Sequence, residues 1–86
     1  MEDLKQLRLK IDEVDEQILQ FLVRRGKICQ AIGAAKKAKG LPIRDANREA
    51  EIFKRVREKA AKSALDPVQV EAVYREIVNM CSSVQE

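Results

Sequence analysis

DLKQLRLKIDEVDEQILQFLVRRGKICQAIGAAKKAK, residues 3–39, carries apolar side chains at a 3-4 spacing without a break in period. Leu4, Leu7, Ile11, Val14, Ile18, Phe21, Arg25, Ile28, Ile32 and Ala35 share one helical face, and Arg25 is the one charge among them. The stretch therefore predicts a single helix from Asp3 to Lys39, about 55 Å long. Asp3 is placed to cap its start. Lys36, Lys37 and Lys39 suit the negative end of its dipole, and Gly40 and Pro42 stop it. An arginine in an apolar seam costs several kcal/mol, roughly, unless it is paired. Its same-face neighbours one turn away, Phe21, Leu22, Ile28 and Cys29, supply no carboxylate. Its partner must be an anion from outside or a carboxylate from another helix, for example Glu49.

Two shorter helices follow. The second is expected from Asp45 to Lys62, after the extended link Leu41-Pro42-Ile43-Arg44, with Ala46, Ala50, Phe53, Val56 and Ala60 inward. The third starts at Asp66 with Pro67 at its first helical position and Gln69 in the place of a capping-box partner. Val70, Val73, Ile77, Met80 and Val84 form its expected seam, and Tyr74, Val78, Cys81 and Gln85 a second stripe. Helices of about 28 Å cover only half of one of about 55 Å. The seam left open predicts a partner, because monomers rarely expose so large an apolar patch. The expected fold is all-α, one long and two shorter helices in an intertwined homodimeric bundle, with residues 1–86 as one domain.

Composition narrows the chemistry. The 86 residues are 45% hydrophobic and 36% charged, with a net charge of +3, which fits a folded helical domain and favours a small anionic ligand. There is no histidine, which removes the commonest zinc ligand and the commonest neutral-pH base. No metal or other cofactor is expected. Cys29 and Cys81 have no metal-like spacing and read as small hydrophobes in a reducing compartment, with a disulfide the lesser alternative. Every apolar run is broken by charge within a few residues, so a cytoplasmic chain without membrane contact is expected.

The charges have an order. Arg25 and Lys36 lie about 20° apart around the first helix and roughly 16 Å apart along it, with Cys29 and Ile32 between them. This pair is a clamp for a small dianion. Arg8 lies about 25 Å from Arg25 and cannot join it within one chain. In an antiparallel pair of first helices centred near Leu22, residue 8 of one chain falls opposite residue 36 of the other, giving two shared sites. Asp45 caps the second helix, Glu49 points inward one turn on, and Gln85 is a neutral donor at the end of the third.

The motifs Leu7-Arg8, Ile11-Asp12 with Asp15, Arg24-Arg25, Gly33-Ala34-Ala35-Lys36, Pro42-Ile43-Arg44-Asp45 and Arg48-Glu49 run through the whole chain. In this order they resemble the all-helical class of chorismate mutases. The resemblance implies an intertwined dimer that converts chorismate to prephenate without a cofactor. It implies that Arg8 of the partner chain, Arg25 and Lys36 hold the two substrate carboxylates. Lys36 and Gln85 would donate to the ether oxygen, Glu49 with Asp45 would bind the ring hydroxyl, and Arg48 would support that acidic pair. The position of Cys81 is usually a hydroxyl residue touching a carboxylate, and a thiol is a poorer donor. Blander roles stand beside these: helix capping for Asp45, a surface charge for Arg48, a fraying terminus for Gln85 and packing for Cys29. Isochorismate-pyruvate lyase is the alternative within the same fold, and Glu49 favours the mutase. A helical dimer binding nucleic acid or a protein is a second alternative. It is disfavoured because no stacking aromatics accompany the basic residues.

Overall fold

The computed structural model describes residues 2–86, so Met1, the first residue of the expected domain, lies outside them. The helices are α1 (Leu4–Lys39), α2 (Ala46–Lys62) and α3 (Pro67–Gln85), with no strand among the described residues. An aspartate starts each one. Asp3 accepts from the Gln6 backbone N–H while the Gln6 side chain accepts from the Asp3 N–H, a closed capping box. Asp45 accepts from the Arg48 N–H at 3.1 Å. Asp66 accepts from Val68 N–H at 2.9 Å, one residue short of Gln69. The box expected from Gln69 is therefore not closed: the Asp66 carboxylate accepts from the second helical amide and not from the third. Gly40, in the left-handed region at φ 69°, ends α1 and lets Leu41 N–H return to the Lys36 carbonyl.

α3 packs against both α1 and α2, while the backbones of those two stay apart. The core is small: Ile52, Phe53 and Val56 of α2 close on Val78 of α3, with Val70 and Tyr74 packed alongside. Ala46 and Ala50 stay exposed, since α2 turns the larger Ile52 inward and so removes more apolar surface from water. At the far end of the α2–α3 contact, Glu71 pairs with Arg57 and with Arg75, whose guanidinium lies 4.5 Å from the centre of the Phe53 ring.

The seams of α1 and α3 differ from expectation. The buried residues of α1 are Cys29 and Gly33, each one position beyond a seam residue, while Ile11, Ile18 and Phe21 are more than half exposed. α3 likewise turns Tyr74, Val78, Cys81 and Gln85 inward and leaves Val73, Met80 and Val84 exposed. The reason is steric. A Cβ built on Gly33 would lie 2.9 Å from the Gln85 Cα, so only glycine admits the backbone of α3 this close. The small face of α1 receives α3, and its large apolar face is left free.

The cysteines are also corrected. Cys29 and Cys81 form a disulfide between α1 and α3, with Cα atoms 5.3 Å apart and 52 residues of separation. Two small side chains facing each other across a close helix contact are in bonding range, a proximity no sequence spacing reveals. Closing a loop of that length destabilises the unfolded chain by about 4 kcal/mol in the chain-entropy account.

The shape is a slab of 57 × 24 × 14 Å with a radius of gyration of 16.2 Å. A compact chain of this length would have a radius of gyration of about 12 Å. The accessible surface is 7142 Å², against roughly 5,200 Å² for a compact monomer of this mass.

Candidate active site

Because α1 and α2 meet only through α3, a cleft opens between them with α3 as its floor. It encloses about 390 Å³. Arg25, Ile28, Cys29, Ile32 and Lys36 of α1 form one wall, and Asp45, Arg48, Glu49, Ile52 and Arg55 the other. Val78, Cys81, Ser82 and Gln85 lie beneath, and Ile43 closes the link end. Of the eight residues singled out in the sequence, Arg25, Lys36, Asp45, Arg48, Glu49, Cys81 and Gln85 are therefore brought together. Arg8 is not: it sits exposed in the first third of α1, beyond the reach of the cleft.

Lys36 and Gln85 make the centre of the link end. Lys36 Nζ donates to Gln85 Oε1 at 2.9 Å and to the Ile43 carbonyl. An ammonium has three N–H donors, so one is left for a ligand. The amide of Gln85 accepts through its oxygen, which leaves the Nε2 hydrogens as donors; Nε2 lies 3.2 Å from Cys81 Sγ. With one Nε2 hydrogen given to Cys81 Sγ, one ammonium N–H and one amide N–H are left to donate to a bound molecule.

Glu49 is aimed by a residue the sequence reading passed over. Arg44 Nε and Nη2 grip the two Glu49 oxygens at 3.0 and 2.9 Å, and Nη1 and Nη2 both reach Asn79 Oδ1 at 3.2 Å. These hydrogen bonds hold the Glu49 carboxyl below its ordinary value against the opposing effect of burial, with lesser contributions from Arg44 and Lys36 charge and an opposing one from Asp45. Glu49 is thus a fixed carboxylate, and a carboxylate in a two-pronged grip still has lone pairs to accept a hydroxyl. The signal that could have found Arg44 is its position five residues before Glu49, where an extended link folds back onto the first turn of a helix.

Arg25 is half-buried, and its Nη1 lies 3.6 Å from Cys29 Sγ. It has no carboxylate partner among the described residues. The bridge to Glu49 weighed for it does not form, because Arg44 holds that carboxylate. Arg48 spends its guanidinium on Glu51 at 3.3 Å, a half-exposed pair of little energetic weight. Arg55, seven residues on along α2, adds a further cation to the Arg25 end and was also missed. Cys81 lines the floor, but its sulfur is bonded to Cys29 and carries no hydrogen, so it cannot donate as a hydroxyl would. Ser82, next to it, gives its hydroxyl to the Val78 carbonyl at 3.3 Å.

The cleft is thus bipolar: two cations without acidic partners at one end, and Lys36, Gln85, Asp45 and Glu49 at the other. A family of sequences described as chorismate mutase type II matches residues 7–86. The chain belongs to the chorismate mutase type II family. It is 38% identical, over its whole length, to a bifunctional chorismate mutase/prephenate dehydratase of Aquifex aeolicus, of which it spans 25%. It is 33% identical over 66 residues to a chorismate mutase of Methanocaldococcus jannaschii, covering 77% of this chain and 67% of that protein. A solved structure of a conserved hypothetical protein from Pyrococcus furiosus shares the fold with a TM-score of 0.77 and 36% identity, over 96% of this chain and 95% of that one. The chain thus spans about a quarter of the first of these relatives and about two thirds of the second. The cleft of this family member contains no group of three or more potential metal ligands among the described residues. No helix among them is long and apolar enough to cross a membrane.

Proposed function

We propose that residues 1–86 form a chorismate mutase domain that rearranges chorismate to prephenate, a step toward the aromatic amino acids, in a site completed by a second copy of the chain. The observation that carries the reading is the Lys36–Gln85 pair, joined at 2.9 Å across 49 residues and lining the cleft, which leaves one ammonium N–H and one amide N–H to donate to a ligand. Family membership and the named relatives support the same substrate.

The reaction is unimolecular: an ether C–O bond breaks as a C–C bond forms. It needs no nucleophile and no proton transfer. What it needs is a folded conformer of the substrate and donors for the negative charge growing on the ether oxygen. Lys36 and Gln85 are assigned the second task. One preorganised donor of this kind lowers a barrier by about 3–4 kcal/mol. Arg25 is assigned a substrate carboxylate, and Glu49, with Asp45 beside it, the ring hydroxyl. Cys81 is assigned an apolar contact, and the charge supporting Glu49 is assigned to Arg44, since the Arg48 guanidinium is paired with Glu51.

Arg8 enters from the second copy. The open seam of α1, and about 2,000 Å² of surface beyond that of a compact monomer, support an obligate dimer in which long helices pack against each other. A cytoplasmic setting is part of the proposal, and it makes the redox state of Cys29 and Cys81 a variable.

The purified protein incubated with chorismate is expected to form prephenate. Pyruvate release from isochorismate, without prephenate from chorismate, would overturn the reading in favour of the lyase. Micromolar affinity for duplex DNA with a steep salt dependence, and no turnover of either acid, would favour a nucleic-acid binder.

A further inference from the structure

Three consecutive contacts fasten the last turns of α3 to α1. The first is the Cys29–Cys81 disulfide. One turn on, Gln85 rests on Gly33 with no room for a Cβ between them. The third is the hydrogen bond from Lys36 to Gln85. Gln85 closes the last turn of α3 among the described residues. Both sulfurs also touch groups assigned to the substrate: Cys29 Sγ lies 3.6 Å from Arg25 Nη1 and Cys81 Sγ 3.2 Å from Gln85 Nε2. A covalent bond one turn before Gln85 is therefore the strongest tie on the donor end of the cleft.

We propose that the Cys29–Cys81 disulfide is a redox-sensitive positioning element, which holds Gln85 in register with Lys36 when oxidised and releases the final turn of α3 when reduced. The inference rests on the mutase reading for the task it gives Gln85. Cys29 is 3% exposed, whereas Cys81 is partly open to the cleft, so reduction starts at Cys81. A thiolate of a dithiol reductant attacks Cys81 Sγ, and the S–S electron pair leaves on Cys29, which takes a proton. The second thiol of the reductant then displaces Cys81 as a thiolate that takes the other proton. Two electrons and two protons enter the protein, and the reductant becomes a disulfide. Oxidation by a small-molecule disulfide runs the same steps backward.

The test compares the oxidised wild type, the wild type reduced with excess dithiothreitol, and a Cys29→Ser/Cys81→Ser double variant. Alkylation mass counts thiols, chorismate turnover gives kcat and KM, and amide hydrogen exchange follows residues 82–86. The oxidised protein is expected to show no alkylatable thiol. Reduction is expected to lower kcat about 10-fold, within the range lost with a single misplaced donor, while KM moves less than about 3-fold because Arg25 and Lys36 stay on α1. Exchange at 82–86 is expected to quicken and that of 46–62 to stay as it was. The double variant is expected to match the reduced protein and ignore dithiothreitol. If the variant does not fold, the reduced wild type alone decides. Equal kcat in the two redox states, equal exchange at 82–86, or two free thiols in protein never exposed to reductant each overturn the proposal. Inactivity on chorismate in both states overturns the mutase reading instead, and the exchange comparison still decides whether the disulfide orders the final turn.

Discussion

Arg25 and Arg44 are the two residues whose partners say most about the site. Arg25 is half-buried with no acid to neutralise it among the described residues, and the proposed reading gives it an anion that arrives from outside. Arg25→Ala is expected to lower kcat/KM by about 100-fold or more. Its melting temperature should change little, because truncation leaves no carboxylate unpaired. A variant that fails to fold would return Arg25 to a structural role. Arg44 acts through Glu49. The charged groups facing that carboxylate are Arg44 and Asp45 beside it and Lys36 from α1, with the Asn79 amide from α3 buttressing Arg44. Because the folded carboxyl titrates below its ordinary value, the stabilisation it brings is present above that ordinary value and fades as the pH falls through the lowered one. The acid limb of kcat/KM is therefore expected below the usual glutamate range. Arg44→Ala should move the limb to higher pH, and Arg44→Lys should restore it in part, since lysine lacks the two-pronged grip. An acid limb that stays in place in Arg44→Ala would show that Glu49 is not the group being titrated. Arg25 was legible from the sequence because a charge interrupts a regular apolar period. Arg44 was not, because a link residue has no period to interrupt.

Among the elements, α3 is decisive, since it alone joins the two walls of the cleft. Its approach to α1 depends on one missing side chain. Gly33→Ala would put a Cβ 2.9 Å from the Gln85 Cα, against backbone that cannot rotate away. The variant is expected to lose about 1–3 kcal/mol of stability and, with Gln85 displaced, a larger share of kcat than of substrate affinity. Thermal unfolding and steady-state kinetics on one preparation check both. A Gly26→Ala control, where a Cβ meets nothing within 4 Å, separates the effect of contact from that of helix propensity, which alone favours alanine by about 1 kcal/mol. Helix ends were the most legible part of these elements. Aspartate, proline and glycine act through backbone chemistry within a few residues, and α1, α2 and α3 begin and end within one residue of expectation. Helix facing was less so. α1 and α3 carry more apolar surface than one contact can cover, and the small residues Cys29 and Gly33 prevailed over the larger seam because they allow the closer approach.

At the scale of the whole molecule, the free apolar face of α1 calls for a cover. With 7142 Å² exposed and a core of four buried hydrophobics shared by α2 and α3, an isolated chain buries little of its apolar surface. The proposed dimer predicts twice the chain mass in sedimentation equilibrium at micromolar concentration, and a melting temperature that rises with protein concentration. It also predicts complementation. Arg8→Ala and Arg25→Ala proteins, each inactive, should regain part of the activity after subunit exchange, because a heterodimer has one site free of both substitutions. No recovery after exchange has been verified by mass would refute the shared site and confine Arg8 to the surface of its own chain.

The three helices, their ends, the all-α class and the order of charges along α1 are legible in the chain alone. These follow from periodicity and capping, which act over a few residues. It also pointed to Arg25, Lys36, Glu49 and Gln85, whose spacing carries the family resemblance. Three features came from packing: α1 and α2 stand apart with α3 between them, Arg44 rather than Arg25 takes Glu49, and Cys29 is joined to Cys81. Each of these depends on which face of a helix meets its neighbour and how closely. That is settled by the fit of side chains, down to the absent one at Gly33, and not by their spacing along the chain.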